Sequence, residues 1–277
     1  MSQLTPDLYC VMGNPIEHSR SPDIHHTFAT ESQQLINYQQ KLVALDGFSN
    51  AVNTFVEEGG KGANITVPFK EKALEIADVL TERASLAGAV NTLTFKEGKI
   101  YGDNTDGEGL VQDLLTNKVA LKQSRVLLLG AGGAARGVLL PLLAQNPQSI
   151  VIANRTLSKA EIMCQQFSDE RISASTYHDL ANLNFDIIIN ATSASLAGDL
   201  PPIPPSIIDS EVVCYDMVYG KNRTPFLLWA NEHGAQHLLD GLGMLVGQAA
   251  VSFAIWRGVS PRVQPVIEKI RTALNEE

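Results

Sequence analysis

The sequence predicts an α/β fold with two domains, the first built on a mixed sheet and the second on a parallel sheet. With 277 residues, the chain exceeds the usual size of a single domain. Hydrophobic residues make up 44% of the chain and charged residues 18%, which suffices for buried cores and is unlike a disordered chain. Short apolar runs alternate with helical patterns, as in sheets whose parallel strands are joined by crossover helices.

The first domain is predicted from alternating strands and helices near the start of the chain. The predicted strands cover 8–12, 37–45 and 62–67, and the predicted helices cover 21–30, 47–57 and 70–79. Segments 89–95 and 99–102 are predicted to pair as a hairpin around Glu97-Gly98. These elements form one mixed sheet, and the domain is assigned residues 1–104 together with 241–277.

The second domain, residues 105–240, is predicted from buried strands. The run 126–129 is apolar throughout, as expected of a parallel strand that is buried on both faces. Further strands are predicted at 150–153, 187–190 and 212–216, and helices at 106–117, 134–145, 159–167 and around Leu180. The Pro-rich segment 200–205 is interpreted as a loop. Two helices after Asp240 are predicted to return to the first domain.

Charge and composition argue against several kinds of partner. The net charge is −9 without a basic run, so no nucleic-acid partner is expected. The chain shows neither a secretory signal nor an apolar run of about 18 residues, so we expect a cytoplasmic protein without a membrane partner. Cys10, Cys164 and Cys214 lack the spacing of a zinc site and are expected to be small buried hydrophobic residues, so no metal is implied. We expect a monomer or a homodimer.

A glycine-rich segment follows the apolar run 126–129 directly. Gly130, Gly132 and Ala135 fit the pattern G-x-G-x-x-G/A between a strand and a helix. Without side chains at the two glycines, backbone N–H groups can approach a pyrophosphate at the positive end of the helix. This predicts a dinucleotide site in a Rossmann-like domain; the alternative is a tight strand-to-helix turn without a ligand.

The end of the next predicted strand distinguishes between two dinucleotides. A domain that prefers NAD usually places a carboxylate there to bind the ribose 2′-hydroxyl. This chain instead has Asn154, Arg155 and Thr156, followed by Lys159. Because Arg155 can bind a 2′-phosphate through two hydrogen bonds and Lys159 adds a second positive charge, NADP is favoured. The alternative is that this segment only caps a helix, through Thr156 or Ser158.

Polar loops follow several strand ends of the first domain, where α/β proteins bind their ligands. Taken singly, each residue also has a structural interpretation. Ser19 and Ser21 would form a turn and an N-cap, Asn64 and Asn91 would brace loops, and Asp106 would cap its helix. Lys70 and Asp106 are the one charged pair in these loops that could transfer a proton.

Taken together, these motifs resemble those of the shikimate dehydrogenase family, in that family's order and over nearly the whole chain. The matching segments are GNPIEHSRSP at 13–22, NITVPFK at 64–70, GAVNT at 88–92, GDNTDG at 102–107, GAGGAAR at 130–136, NRT at 154–156, NATS at 190–193, YDMVY at 215–219 and DGLGMLVGQAA at 240–250. The resemblance implies an enzyme that reduces 3-dehydroshikimate to shikimate with NADPH, on the route to chorismate and the aromatic amino acids.

The resemblance also implies roles for individual residues. Lys70 would donate and accept the proton, paired with Asp106. The substrate would be bound by Ser19 and Ser21 at its carboxylate and elsewhere by Asn64, Thr66, Lys70, Asn91, Asp106, Tyr219 and Gln248. NADP would be bound by Glu82, Gly130, Ala131, Gly132, Gly133, Ala134, Asn154, Arg155, Thr156, Lys159, Thr192, Met217 and Gly241.

Two positions depart from the family pattern. His26 stands where the family usually has Asn, and Lys159 stands where an arginine is common. Lysine keeps the charge but loses the two-pronged geometry, so a weaker hold on the 2′-phosphate is expected.

Two other functions stay open at this point. One is a related quinate/shikimate dehydrogenase that accepts NAD, against which Thr66 and the NRT segment argue. The other is a catalytically silent NADP-binding or sensor protein, which would leave Lys70 and Asp106 without a role.

Overall fold

The computed structural model describes residues 5–276 and divides them into two compact units. The first unit contains the described residues up to Gly109 together with Val246–Glu268. The second contains Leu110–Leu245 and the described residues from Lys269 onward. The predicted domain boundaries stay a prediction, because compactness alone does not show which segments fold together.

A mixed sheet forms the centre of the first unit, with strand order β2-β1-β3-β5-β6-β4. Its strands are β1 Asp7–Gly13, β2 Ile36–Leu42, β3 Gly60–Ile65, β4 Val79–Leu80, β5 Thr92–Lys96 and β6 Lys99–Asp103. The helices are α1 Ser21–Glu31, α2 Phe48–Glu57, α3 Lys70–Ile76 and α4 Glu82–Ala87, and α5 Asp106–Thr116 begins here. β1 runs parallel to β2 and β3, whereas β3, β5 and β6 pair antiparallel, which confirms the predicted mixed sheet and hairpin.

The two faces of this sheet pack separate apolar clusters. Along β1, Cys10 and Met12 join one cluster, while Tyr9 and Val11 join the other, as the alternation of a strand requires. The helix α9, Leu242–Arg257, covers the second face: its Trp256 packs against that cluster and donates from Nε1 to the carbonyl of Leu93 at 3.1 Å. The predicted return of the first of the two C-terminal helices to the first part of the chain is therefore confirmed.

The second unit is built on a sheet whose paired strands are all parallel, in the order β12-β11-β10-β7-β8-β9. Its strands are β7 Arg125–Leu129, β8 Ser149–Ala153, β9 Ile172–Ser175, β10 Ile187–Asn190, β11 Val213–Asp216 and β12 His237–Asp240. The helices include α6 Gly133–Ala144, α7 Leu157–Phe167 and α8 Pro225–Glu232, and α10 Gln264–Glu276 ends here. Successive residues of β7 enter two different apolar clusters, so both faces are covered, as predicted for a doubly wound sheet.

Several predicted boundaries were wrong. The predicted helix 70–79 ends at Ile76, because Ala77 is extended and the Asp78 N–H donates to the Ile100 carbonyl at 2.8 Å. The Ile100 N–H donates in turn to the Asp78 Oδ2 at 2.7 Å. The short strand β4 that follows, and also α4, β9, α8 and β12, were not predicted. The predicted helix around Leu180 is a single short 3₁₀ helix, His178–Asn182.

Among residues 5–276, no helix is long and apolar enough to cross a membrane. The same residues contain no group of three or more His, Cys, Asp or Glu side chains arranged to hold a metal ion. Cys10 and Cys214 are buried as predicted, whereas Cys164 is only half-buried. Burial raises the pKa of the Cys214 thiol to about 12, so this group is unreactive in the folded protein.

Candidate active site

An ion pair links the starts of two helices in the first unit. Lys70 opens α3 and Asp106 opens α5, and the Lys70 Nζ lies 2.6 Å from the Asp106 Oδ2. The side chains stay 32% and 18% exposed, respectively, so the pair is sheltered but can still reach solvent. The backbone N–H of Asp106 donates to the Asn104 Oδ1 at 3.1 Å, which anchors the start of α5. The predicted acid-base pair is thus brought into direct contact.

The buried Asn91 amide holds the other oxygen of Asp106. Its Oδ1 accepts the backbone N–H of Thr105 at 2.9 Å, and because that group can only donate, the orientation of the amide is fixed. Its Nδ2 therefore donates to the Asp106 Oδ1 at 2.7 Å and to the Gln248 Oε1 at 3.3 Å. Asn91 thus connects the Asp106 carboxylate to Gln248.

A network of buried polar side chains lies beside Asn91. The Asn64 Oδ1 accepts from the Tyr38 hydroxyl at 2.7 Å, and its Nδ2 donates to the Asn91 carbonyl at 3.3 Å and to the Ser252 Oγ at 3.0 Å. Burial raises the pKa of Tyr38 well above its usual range, so that hydroxyl keeps its proton and acts as the donor. The Thr92 and Ser252 hydroxyls lie 2.8 Å apart. The structure thus gives Asn64 a bracing role, while its substrate contact stays a prediction.

Ser19, Ser21 and Thr66 follow the ends of β1 and β3. The Ser19 Oγ accepts the backbone N–H of Ser21 at 3.4 Å, so these serines form the predicted turn. Ser21 is the first residue of α1 rather than its N-cap. The loops lie close together, because a Cβ on Gly13 would be only 2.5 Å from the Thr66 Cγ2.

The two neighbouring histidines of α1 differ in environment. His25 is fully buried and stacks on Tyr38 with ring centroids 4.2 Å apart. Burial lowers the pKa of His25 to about 3, so this ring is neutral at ordinary pH. The exposed His26, which departs from the family pattern, accepts the backbone N–H of Tyr38 through its Nε2 at 3.3 Å. This position therefore helps to hold the edge strand β2.

A second charged cluster braces the loop that carries Asp106, and it was not predicted from the sequence. Asp103 accepts two hydrogen bonds from Arg83 and one from Thr81, all at 2.7 Å. Burial opposes the charge of Asp103, but the hydrogen bonds from Arg83 and Thr81 outweigh it and hold its pKa below the usual range. No local pattern links Arg83 to a partner 20 residues away.

In the second unit, the glycine-rich loop presents backbone rather than side chains. Gly130 has φ +106°, and a Cβ there would lie 3.1 Å from the Thr192 Cγ2. At Gly132 and Gly133, where α6 begins, a Cβ would meet nothing within 4 Å, so the backbone is open. The Arg136 Nε in the first turn of α6 is buried without a hydrogen-bond partner among the described residues. These features fit the pyrophosphate of a dinucleotide.

The segment after β8 offers positive charge. Arg155 and Lys159 are exposed, and the Asn154 Nδ2 donates to the Thr156 carbonyl at 2.9 Å. Thr156 is the N-cap residue of α7, but its side chain makes no capping hydrogen bond. The capping alternative therefore does not explain this side chain, and the donor set suits a 2′-phosphate.

The remaining residues that were predicted to bind the cofactor lie at the ends of β10, β11 and β12, except for Glu82, which is exposed in the first turn of α4. The Met217 N–H donates to the Asn190 carbonyl at 3.0 Å, and a Cβ on Gly241 would lie 2.1 Å from the Met217 carbonyl oxygen. Met217, Tyr219 and Gly241 thus follow neighbouring strands. The sequence prediction missed the buried Asp216 between them, because burial of a carboxylate leaves no local pattern.

Models of three related domains match the chain. The shikimate dehydrogenase substrate binding domain matches residues 11–93, the shikimate / quinate 5-dehydrogenase domain matches 112–197, and the shikimate 5′-dehydrogenase C-terminal domain matches 241–271. Together they match segments of both units described above.

Full-length relatives agree with these models. The chain is 73% identical to the shikimate dehydrogenase (NADP(+)) of Colwellia psychrerythraea, over 99% of this chain and 100% of that one. An Ael1 enzyme from Pseudomonas putida is 49% identical with a TM-score of 0.93, over 95% of this chain and 97% of that one. Shikimate 5-dehydrogenase from Thermus thermophilus, solved in complex with NADP(H) and shikimate, is 30% identical with a TM-score of 0.86, over 97% of this chain and 100% of that one. The chain belongs to the family of NADP-dependent shikimate dehydrogenases.

Proposed function

We propose that the protein catalyses the reversible NADPH-dependent reduction of 3-dehydroshikimate to shikimate, on the route to chorismate and the aromatic amino acids. The observation that carries the proposal is the contact of 2.6 Å between the Lys70 Nζ and the Asp106 Oδ2, beside loops of polar side chains. The name of the Colwellia relative supports the same reaction.

Lys70 is assigned the proton transfer. When bound, NADPH supplies a hydride to the ketone carbon of the substrate, and negative charge then develops on the ketone oxygen. The Lys70 ammonium donates a proton to that oxygen and regains one from solvent, which its 32% exposure permits. In the reverse direction, the neutral Lys70 amine accepts the hydroxyl proton. Asp106 holds the Lys70 amine in place.

Fixed amides and hydroxyls are assigned to binding the substrate. Asn91 keeps Asp106 aligned. Gln248 is assigned to the substrate from the family resemblance. Ser19 and Ser21 suit the carboxylate, since two neutral hydroxyls bind it more weakly than an arginine would and let the product leave. Asn64, Thr66 and Tyr219 complete the proposed set.

Backbone groups and two cations are assigned to holding NADP. Gly130 and the open glycines Gly132 and Gly133, with Ala131 and Ala134, accommodate the pyrophosphate at the start of α6. Arg155 and Lys159 suit the 2′-phosphate, next to Asn154 and Thr156. Thr192, Met217 and Gly241 are assigned to the nicotinamide half, and Glu82 is proposed from the family resemblance.

The experiment that tests this function combines the purified protein with shikimate and NADP and follows the absorbance of the reduced cofactor. Turnover that requires both compounds is expected. Cofactor binding without turnover would instead identify a silent NADP-binding protein.

Quinate is the second candidate substrate, because the domain model that matches 112–197 describes shikimate / quinate 5-dehydrogenases. Quinate carries an extra ring hydroxyl, and related enzymes that accept it can use NAD. Measuring kcat/KM for shikimate and quinate with each cofactor separates the two. We expect shikimate with NADP to give the highest value, and equal values with NAD would contradict the assignment of Arg155.

A further inference from the structure

Asp216, the last residue of β11, is completely buried. Its Oδ2 accepts from the Ser195 hydroxyl at 2.7 Å and from the Thr224 hydroxyl at 2.6 Å. Its Oδ1 accepts from the Val218 N–H at 3.1 Å and from the Asn190 Nδ2 at 3.3 Å. Four donors from three segments of the second unit therefore converge on one carboxyl group.

The hydrogen-bond partners of Asp216 form a set of donors that suits a carboxylate. The Ser195 Oγ receives an N–H from Asn190 at 3.3 Å, and the Thr224 Oγ1 receives the Leu227 N–H at 3.4 Å. Each hydroxyl therefore has its own proton left to donate, and both short contacts have the length of bonds to a charged oxygen. The orientation of Asn190 is fixed in turn, because its Oδ1 accepts the Thr192 N–H at 3.2 Å. A carboxylate satisfies every one of these groups.

None of the four donors carries a charge, although an ionised carboxylate without water is unfavourable unless it is compensated. Retaining the charge at this place therefore calls for an explanation beyond loop bracing.

The position of Asp216 in the sheet supplies one. The strand order reverses between β10 and β7, and a dinucleotide binds across such a reversal at the carboxyl ends of the strands. The pyrophosphate loop follows β7 and the cationic residue Arg155 follows β8, which assigns the adenosine half to that side. The nicotinamide half then extends over β10 and β11, where Asp216 lies at the strand end.

We propose that the buried negative charge of Asp216 favours the oxidised cofactor, whose nicotinamide ring is positively charged, over the reduced cofactor, whose ring is neutral. This inference rests on the proposed function. A fixed anion near this ring also stabilises the positive charge that develops there as the hydride leaves, so it assists the reduction of the substrate.

The test compares the dissociation constants of NADP⁺ and NADPH, measured by calorimetry in the absence of substrate, for the wild type and for Asp216→Asn. The variant is expected to weaken NADP⁺ binding about three- to tenfold more than NADPH binding, because only the oxidised ring carries a positive charge that Asp216 attracts. Ser195→Ala is the matched control, because it removes one hydrogen bond and keeps the charge. Its effect on the two affinities is expected to be equal.

Equal loss of both affinities in Asp216→Asn would overturn the proposal and leave Asp216 a purely structural residue. If Asp216→Asn does not fold, Asp216→Ser is measured instead, since its hydroxyl can still accept the Val218 N–H without a charge. Absence of binding of either cofactor to the wild type would contradict the proposed function itself, so the two failures are distinguishable.

Discussion

The loops at the carboxyl ends of the two sheets are built differently. In the first unit they expose side chains that can donate, accept and exchange protons, with Lys70 and Asp106 in contact at 2.6 Å. In the second unit they expose backbone at Gly132 and Gly133, and the carboxylate there, Asp216, is completely buried. The first arrangement suits a reaction, and the second suits a tightly held ligand.

The exposure of the charged side chains also differs between the two units. Lys70 and Asp106 keep 32% and 18% of their side-chain surface exposed, as groups that exchange protons with solvent require. Asp216 has no exposed surface and accepts its hydrogen bonds from uncharged donors. Variants at these places should therefore separate catalysis from cofactor binding.

The largest effect is expected for Lys70→Ala. Loss of the group that transfers the proton should lower kcat by a factor of about 10² or more, with little change in the KM for shikimate. Lys72→Ala, two residues further along α3, is the matched control and should keep kcat. A Lys70→Ala enzyme with near-normal kcat would remove this residue from the chemistry.

Arg155→Ala should reduce the preference for NADP over NAD by about ten- to a hundredfold, because a hydrogen bond to a charged phosphate is lost. The measurement is kcat/KM with each cofactor at saturating shikimate. Arg262, an exposed arginine of the first unit, provides the control variant Arg262→Ala. An unchanged cofactor preference in Arg155→Ala would argue that the 2′-phosphate binds elsewhere.

Asp103→Asn should lower the free energy of unfolding by about 2 kcal/mol at neutral pH, because the ion pair with Arg83 is broken. The pKa of Asp103 is depressed in the folded state, so its contribution is present above the unfolded pKa and is lost as the pH falls through the folded value. The difference from the wild type in urea denaturation should therefore shrink below about pH 4. The exposed Asp46→Asn is the control, and a difference that does not depend on pH would contradict this account.

Gly132→Ala is expected to have the smallest effect, on cofactor binding alone. The new methyl group meets open space in the folded protein, so stability should change by less than about 1 kcal/mol, while NADP binding weakens about tenfold because the methyl group obstructs the pyrophosphate.

Gly241→Ala is the contrasting variant and should lower the stability of the fold. Its Cβ would lie only 2.1 Å from the Met217 carbonyl oxygen, and this overlap is destabilising. Thermal unfolding and calorimetry measure both quantities.

Much of the fold could be predicted because its central strands are apolar and its phosphate loop is local in sequence. The run 126–129 and the glycines after it lie next to each other, so pattern and structure coincide. Edge strands escaped prediction: β9 reads ISAS and β12 reads HLLD, without the apolar run of a buried strand. The helix α8 did carry a usable signal, since Thr224 accepts the Leu227 N–H as an N-cap and Pro225 follows it.

The candidate site was predictable as a set of motifs but not as a network. Lys70 and Asp106 were paired from the motifs, whereas the contacts of Asn64 with Tyr38 and with Ser252, 188 residues away, depend on the fold. The same holds for Asp216, whose partners come from three segments. Hydrogen bonds between distant segments leave no periodic pattern, so sequence reasoning could not place them.

The most direct test of the central claim, that Lys70 and Asp106 act as one acid-base unit, is a double-mutant cycle on kcat with saturating shikimate and NADP. The three variants are Lys70→Ala, Asp106→Asn and the double variant. Because residues that act as a unit are non-additive, the double variant should turn over about as slowly as Lys70→Ala alone. Effects that multiply in the double variant would show that the two residues act independently and would contradict the account.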